Sequence, residues 1–294
     1  MKPKYAEACY YQGLVMQRWQ RYEGSLEFYQ KAYEYEPDNP AYLMAVSEAL
    51  VYLDRVDEAM TLLEDKRQYF DQNAGVRAAI GHLYLIKEQP AVAAKYFKQA
   101  SLLEPDNITI QEHLGFSLSA SDQNKQAIEV FKHILKDPDN KDRDDIKRAL
   151  ASSYLKTDQV KEAHAVLLEV ARGPKGGVSD WIKLGELSYQ QNDLGSALQA
   201  ASKVMNLAPE RHEGYLLAGM VWQRRGNLNN ALQMFDRAAA AAPASTEPLI
   251  LRGLSLQKAG RFAAAAEAYQ QALKRQPDDS RAARLLAAVS QHDG

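Results

Sequence analysis

A small residue returns every 34 residues through most of this chain, and that spacing constrains the fold more than any other feature. Gly185, Gly219 and Gly253 stand 34 residues apart, with Ala197, Ala231 and Ala265 at one fixed offset behind them and Pro209, Pro243 and Pro277 at another. A fixed period of this length marks a repeat architecture in which each unit buries its core against its neighbours. Within residues 178–211, Trp181, Leu184, Gly185 and Ser188 follow the i, i+3, i+4, i+7 spacing of one buried helical face. Asn192-Asp193 then turns the chain, and Pro209 stops a second helix because proline lacks the amide that an interior turn needs. Each period therefore predicts two closely crossing helices, with glycine in the first at the crossing and alanine answering it from the second.

These residues resemble the tetratricopeptide repeat. Trp181, Leu184, Gly185, Ala197 and Pro209 stand at positions 4, 7, 8, 20 and 32 of that family's 34-residue unit, while Ser188 and Ala201 depart at 11 and 24. The resemblance covers residues 6 to about 291. It implies an all-α fold, a right-handed superhelical solenoid of about eight helix-turn-helix repeats. They lie near 6–39, 40–73, 74–107, 108–141, 144–177, 178–211, 212–245 and 246–279, and a capping helix and tail follow over 280–294. Gly holds position 8 in six units, Ala holds position 20 in seven and Pro holds position 32 in five, so residues 1–279 read as a single array.

A solenoid also accounts for length without domain signals: 294 residues exceed one ordinary core, yet no composition shift or Ser/Gly-rich linker divides them. Lys plus Arg number 36 against 38 Asp plus Glu, a net charge of -2, which offers no general attraction to nucleic acid or an anionic membrane. No apolar run approaches the ~18 residues that span a bilayer. The start MKPKYAEACY has no signal-peptide core, so the expected location is cytoplasmic, or periplasmic or exported if a leader has been removed. The single cysteine, Cys9, excludes an internal disulfide and a cysteine-based structural zinc site; at repeat position 4 it reads as a packed thiol.

The departures from the pattern are informative. Repeat 1 has Ser25 in place of the alanine of position 20. Repeat 2 puts Lys66 at the inward position 27, where it must snorkel or find a carboxylate, with Tyr69 and Phe70 completing the packing in its place. Asp142 and Arg143 fall outside the register before repeat 5, and Gly173-Pro174-Lys175-Gly176-Gly177 shortens that repeat's second helix, so the array is expected to bend there. Ser280 reads as the N-cap of the last helix. Ala282, Leu285, Leu286 and Val289 form its apolar face, and Arg281 and Arg284 lie toward the other.

A search for chemistry returns little. No two of the six histidines, 82, 113, 133, 164, 212 and 292, pair at i, i+4, and there is no HExxH, nucleophile elbow or cysteine dyad. Gly173 to Gly177 lacks the GxxxxGK[ST] order and reads as a helix-ending loop. Asp137 to Asp142 lacks the EF-hand spacing and its closing Glu and reads as a solvated turn. No catalytic residue, metal or cofactor is expected.

The resemblance implies that first helices line a concave groove, with positions 2, 5, 9 and 12 facing it. The family's carboxylate clamp wants Lys and Asn where repeat 1 has Tyr10 and Leu14, so that use is excluded. Positions 5 and 9 are instead apolar in several repeats. Tyr10, Leu14, Phe116, Ile182, Leu216, Met220, Ile250 and Leu254 are the candidate partner-binding residues, and the last four of them form an expected continuous strip with Ile182 beside it. Of the chain's 26 aromatic residues, 13 lie in the first 70 positions, among them Tyr10, Tyr11, Trp19, Tyr22 and Tyr42. Aromatics favour both core and interface; a partner or a second copy of the chain would cover that end, making it a candidate surface for homo-oligomers. The expected function is a non-enzymatic scaffold that binds a peptide or helical protein segment. The alternatives are a chaperone-like or assembly factor in bacterial secretion or envelope biogenesis, and a substrate-selecting arm of a separate enzyme.

Overall fold

The structure is a computed structural model that describes residues 3–290. The tail 291–294, and with it His292, lies outside the described residues. Among those described, every regular element is an α-helix, seventeen in all, and none is long and apolar enough to cross a membrane.

The helices fall into two compact units, the first ending at Asp158 and the second beginning at Gln159. The first holds α1 (Pro3–Arg18), α2 (Tyr22–Tyr35), α3 (Pro40–Tyr52), α4 (Val56–Lys66), α5 (Ala74–Ile86), α6 (Pro90–Leu103), α7 (Ile108–Ala120), α8 (Asn124–Lys136) and α9 (Asp144–Lys156). The second holds α10 (Val160–Arg172), α11 (Val178–Gln190), α12 (Leu194–Leu207), α13 (His212–Arg224), α14 (Leu228–Ala241), α15 (Glu247–Lys258), α16 (Phe262–Arg275) and α17 (Ser280–Ser290). Within each unit a helix packs on those before and after it, the pattern of a helical-repeat solenoid.

One turn geometry recurs between the two helices of a repeat. Gln20, Asp54, Glu88, Asp122, Asp158 and Asn192 have φ between 57° and 61°, and Gly226 and Gly260 have 77° and 74°. All eight occupy position 15 of their repeats. The following amide donates back to the first helix, as Gln89 N does to Tyr84 O and Asp193 N to Ser188 O, each at 2.8 Å. This left-handed closure satisfies carbonyls that the helix end would leave bare. Six of the eight positions hold a residue with a side chain, although glycine fills this region at least cost.

At the helix crossing the structure corrects the expected partner of the position-8 glycine. A methyl group on Gly219 would lie 2.5 Å from Cε1 of Phe235, and one on Gly115 would lie 2.5 Å from Cε1 of Phe131. Gly13, Gly81 and Gly253 face Tyr29, Phe97 and Tyr269 in the same way. Glycine therefore makes room for an aromatic ring at position 24, not for the alanine at position 20, which is itself buried throughout. Repeat 6 has Ala201 at position 24 and no ring to offer; there Leu217 of the next repeat comes over Gly185, with Ala200 beside it.

Helix starts follow from local side chains. Asn39, Asn73 and Asn107 cap α3, α5 and α7 by accepting from Ala41 N, Val76 N and Ile110 N at 3.0, 2.9 and 3.3 Å. The last helix is capped by Asp279 and not by Ser280: its Oδ1 accepts from Arg281 N at 3.0 Å and Ala282 N at 2.9 Å. Two more side-chain expectations change in repeat 2. Lys66 ends α4 in the open, Phe70 is buried in the adjoining core, and Tyr69 stays exposed with its hydroxyl donating to Asp38.

The two joints around repeat 5 differ. Arg143 braces the first, bonding to Glu112 at 2.6 Å and Asp145 at 2.7 Å, which keeps its guanidinium protonated and holds the Asp145 carboxyl below the usual range. At the second, Gly173 N caps α10 by donating to Glu169 O at 3.0 Å, and Gly177 N donates to Asp180 Oδ2 at 3.0 Å as α11 begins. The glycines thus end one helix and start another.

Candidate protein-binding groove

In the second unit the first helices of repeats 6 and 7, α11 and α13, stand side by side. Their position-5 and position-9 side chains, Ile182 and Glu186 on one and Leu216 and Met220 on the other, lie one helical turn apart along a face. Together with Tyr189, Gln190, Glu213, Leu217 and, from α12, Val204, they line a recess of about 290 Å³. Small-molecule sites run to about 300–1,000 Å³, so this space suits one or two protein side chains. Ile182, Leu216 and Met220 are half-buried, leaving apolar surface facing the recess, and Glu186 is exposed.

Both ends of the recess are fixed by charged groups. Arg224 lies over the Tyr189 ring, 3.8 Å from its centroid, and donates to the Tyr189 carbonyl at 2.7 Å. Glu213 is held by Arg211, whose hydrogen bond lowers its pKa and keeps it ionised. The recess traces to the departure at Ala201: without a ring in repeat 6, Leu217 turns over Gly185 and becomes part of the wall.

The expected apolar strip does not continue into repeat 8. Ile250 is only 2% exposed, packed with Leu249, Ala272 and Ala282, and Leu254 is half-buried in the same cluster with Leu285 of α17. The closing helix covers these positions, so Ile250 is core.

In the first unit the candidates are scattered. Tyr10 is half-buried between Tyr29 and Tyr42, with ring centroids at 5.7 and 5.2 Å. Leu14 is 38% exposed, and Phe116 is 42% exposed with its edge on Phe131. Cys9 is half-buried against Ala6, Ala32 and Tyr42.

The sequence reading also missed a histidine pair. His82 of α5 and His113 of α7 meet edge to face, their centroids 4.1 Å apart, with Phe97 touching both. Burial, and then the neighbouring His113, pushes His82 down to about 4; burial also lowers His113, against the opposing pull of Glu112. The search for i, i+4 spacing could not find this pair. Its 31-residue separation joins position 9 of one repeat to position 6 of the next. Among the described residues no group of three or more His, Cys, Asp or Glu is placed to hold a metal ion.

Two tetratricopeptide-repeat models match the chain, at residues 74–107 and 250–291. The chain carries tetratricopeptide repeats at these positions. The first match coincides with repeat 3 as read from the sequence. Among solved structures, the protein is similar to the C-terminal part of a tetratricopeptide-repeat protein from Cytophaga hutchinsonii, at 15% identity and a TM-score of 0.67, covering 83% of this chain and 99% of that one. A chain of the Naa15/Naa10 structure bound to HypK-THB matches at 16% identity and a TM-score of 0.64; the alignment covers 97% of this chain and only 44% of the larger one. MamA matches at 17% identity and a TM-score of 0.53, covering 59% of this chain and 94% of MamA. At these identities the likeness is one of fold. No curated protein sequence matches significantly. Tetratricopeptide repeats serve as protein-interaction scaffolds, and this chain carries such repeats.

Proposed function

We propose that this tetratricopeptide-repeat protein is a non-enzymatic adaptor that holds an extended or helical segment of a partner protein along α11 and α13, with one large apolar side chain seated in the recess between them. The observation that carries this reading is the recess itself, walled by Ile182, Tyr189, Leu216, Leu217 and Met220. Full burial of a large apolar side chain is worth up to about 1.5–3 kcal/mol, enough for an anchor when backbone and rim contacts add to it. The exposed carboxylate of Glu186 favours a segment with a basic residue beside that anchor.

The test is selection of peptides from a random display library against the whole protein. Enriched peptides should share a large apolar residue and lose binding to Met220→Glu, whose thermal melt should match the wild type because position 220 is half-exposed. Peptides that bind wild type and Met220→Glu equally would overturn the reading.

A further inference from the structure

The face of α1 that the later first helices bury stands open. Position 10 of the repeat is buried in each first helix from α3 to α15, as Ala49, Leu83 and Val221 show. Position 3 is likewise buried in each, where it packs on the preceding helix: Tyr42 of α3 meets Ala32 of α2, and Ile110 of α7 meets Ala100 of α6. On α1 these positions are Ala8 and Val15, and both are exposed. Tyr11 and Trp19 extend them at i, i+4 spacing. Tyr11, Val15 and Trp19 are 57%, 47% and 62% exposed, an apolar row about three turns long shaped by the repeat to receive a helix.

We infer that this row pairs with the same row on a second copy of the protein, the two α1 helices running antiparallel. The charges beside the row select this occupant. Glu7 and Arg18 are exposed, and neither takes part in an ion pair among the described residues. They are eleven residues apart, about three helical turns, so they stand on one flank of the helix. A two-fold axis near the midpoint of Tyr11 and Val15 reverses one helix against the other and brings that flank onto itself. Glu7 of each copy then faces Arg18 of the other, twice over. Such an isologous contact closes on itself. A head-to-tail contact with α17 is disfavoured, since that helix exposes Arg281 and Arg284 and no large apolar side chain. This surface is separate from the α11–α13 recess, so each proposal stands or falls alone.

Sedimentation velocity on the whole protein tests the pairing. The wild type should be a concentration-dependent dimer, Val15→Glu a monomer with an unchanged circular dichroism melt, and Glu7→Arg and Arg18→Glu each weaker dimers by tenfold or so in Kd. The doubly reversed Glu7→Arg, Arg18→Glu protein should recover dimerisation, which a merely apolar or nonspecific contact would not do. The inference is overturned by a wild type that stays monomeric up to its solubility limit. It is equally overturned by a dimer that survives Val15→Glu, or by charge reversals whose combination restores nothing.

Discussion

Phe235 reaches the backbone of α13 at Gly219, and any side chain there must push the ring or the helix aside. Gly219→Leu should therefore destabilise the protein by about 1–3 kcal/mol or more, read as a lowered denaturation midpoint; an unchanged midpoint would mean that the crossing is not packed as described. Position 15 gives the converse case. Glu88 adopts φ 57° without being glycine, so Glu88→Gly should leave stability level or raise it by up to about 1 kcal/mol, whereas Gly226→Ala should lower it by about 1 kcal/mol. The glycine at position 8 was legible because its period was visible in the sequence. Its partner ring was not, because the spacing offered alanine at position 20 as the nearer match in size. The left-handed turn was only partly legible: Asp and Asn at position 15 are compatible with it, but Gln20 and Glu88 are not residues that announce it.

Helix ends and helix pairs carry the next level. Arg275 of α16 donates to Ala242 O, Ser245 O and Ala239 O at 3.2, 2.8 and 3.1 Å, satisfying carbonyls at the end of α14 and in the loop that follows it. Hydrogen bonds to charged groups are worth about 1.5–3 kcal/mol, and Arg275→Met should cost a loss of that order on chemical denaturation. Between α5 and α7, both His82 and His113 have pKa values below the ordinary 6.5, His82 near 4. The unfolded chain binds more protons than the folded one between those values, so stability is complete above pH 6.5 and should fall as the pH is lowered toward 4. His82→Phe should flatten that slope; an equally steep slope in the variant would assign it to other groups. Ile250 shows why element-level reasoning outran the sequence. Its position said groove, but α17 brings Leu285 to cover its neighbour Leu254, and a single repeat's pattern contains no term for the helix that follows it.

Across the whole molecule, the 34-residue period made the helical-repeat fold readable almost from end to end, and only part of the candidate site followed from it. Ile182, Leu216 and Met220 line the recess as their positions implied. Leu217 was missed because its role depends on a ring that Ala201 fails to supply, and Tyr189 because only positions 5 and 9 were compared although it stands at groove position 12. The joints of repeat 5 were visible as breaks in register, but only the structure distinguishes the braced Arg143 joint from the Gly173–Gly177 loop. Amide exchange should be faster at Gly173–Gly177 than at Arg143, and Arg143→Ala should remove the difference. The central claim is that partners dock between α11 and α13, and the most direct measurement is hydrogen–deuterium exchange of the whole protein with and without a library-selected peptide. Slowed exchange concentrated in 182–190 and 213–220 is the expected result; unchanged exchange in those segments, with slowing elsewhere, would contradict it.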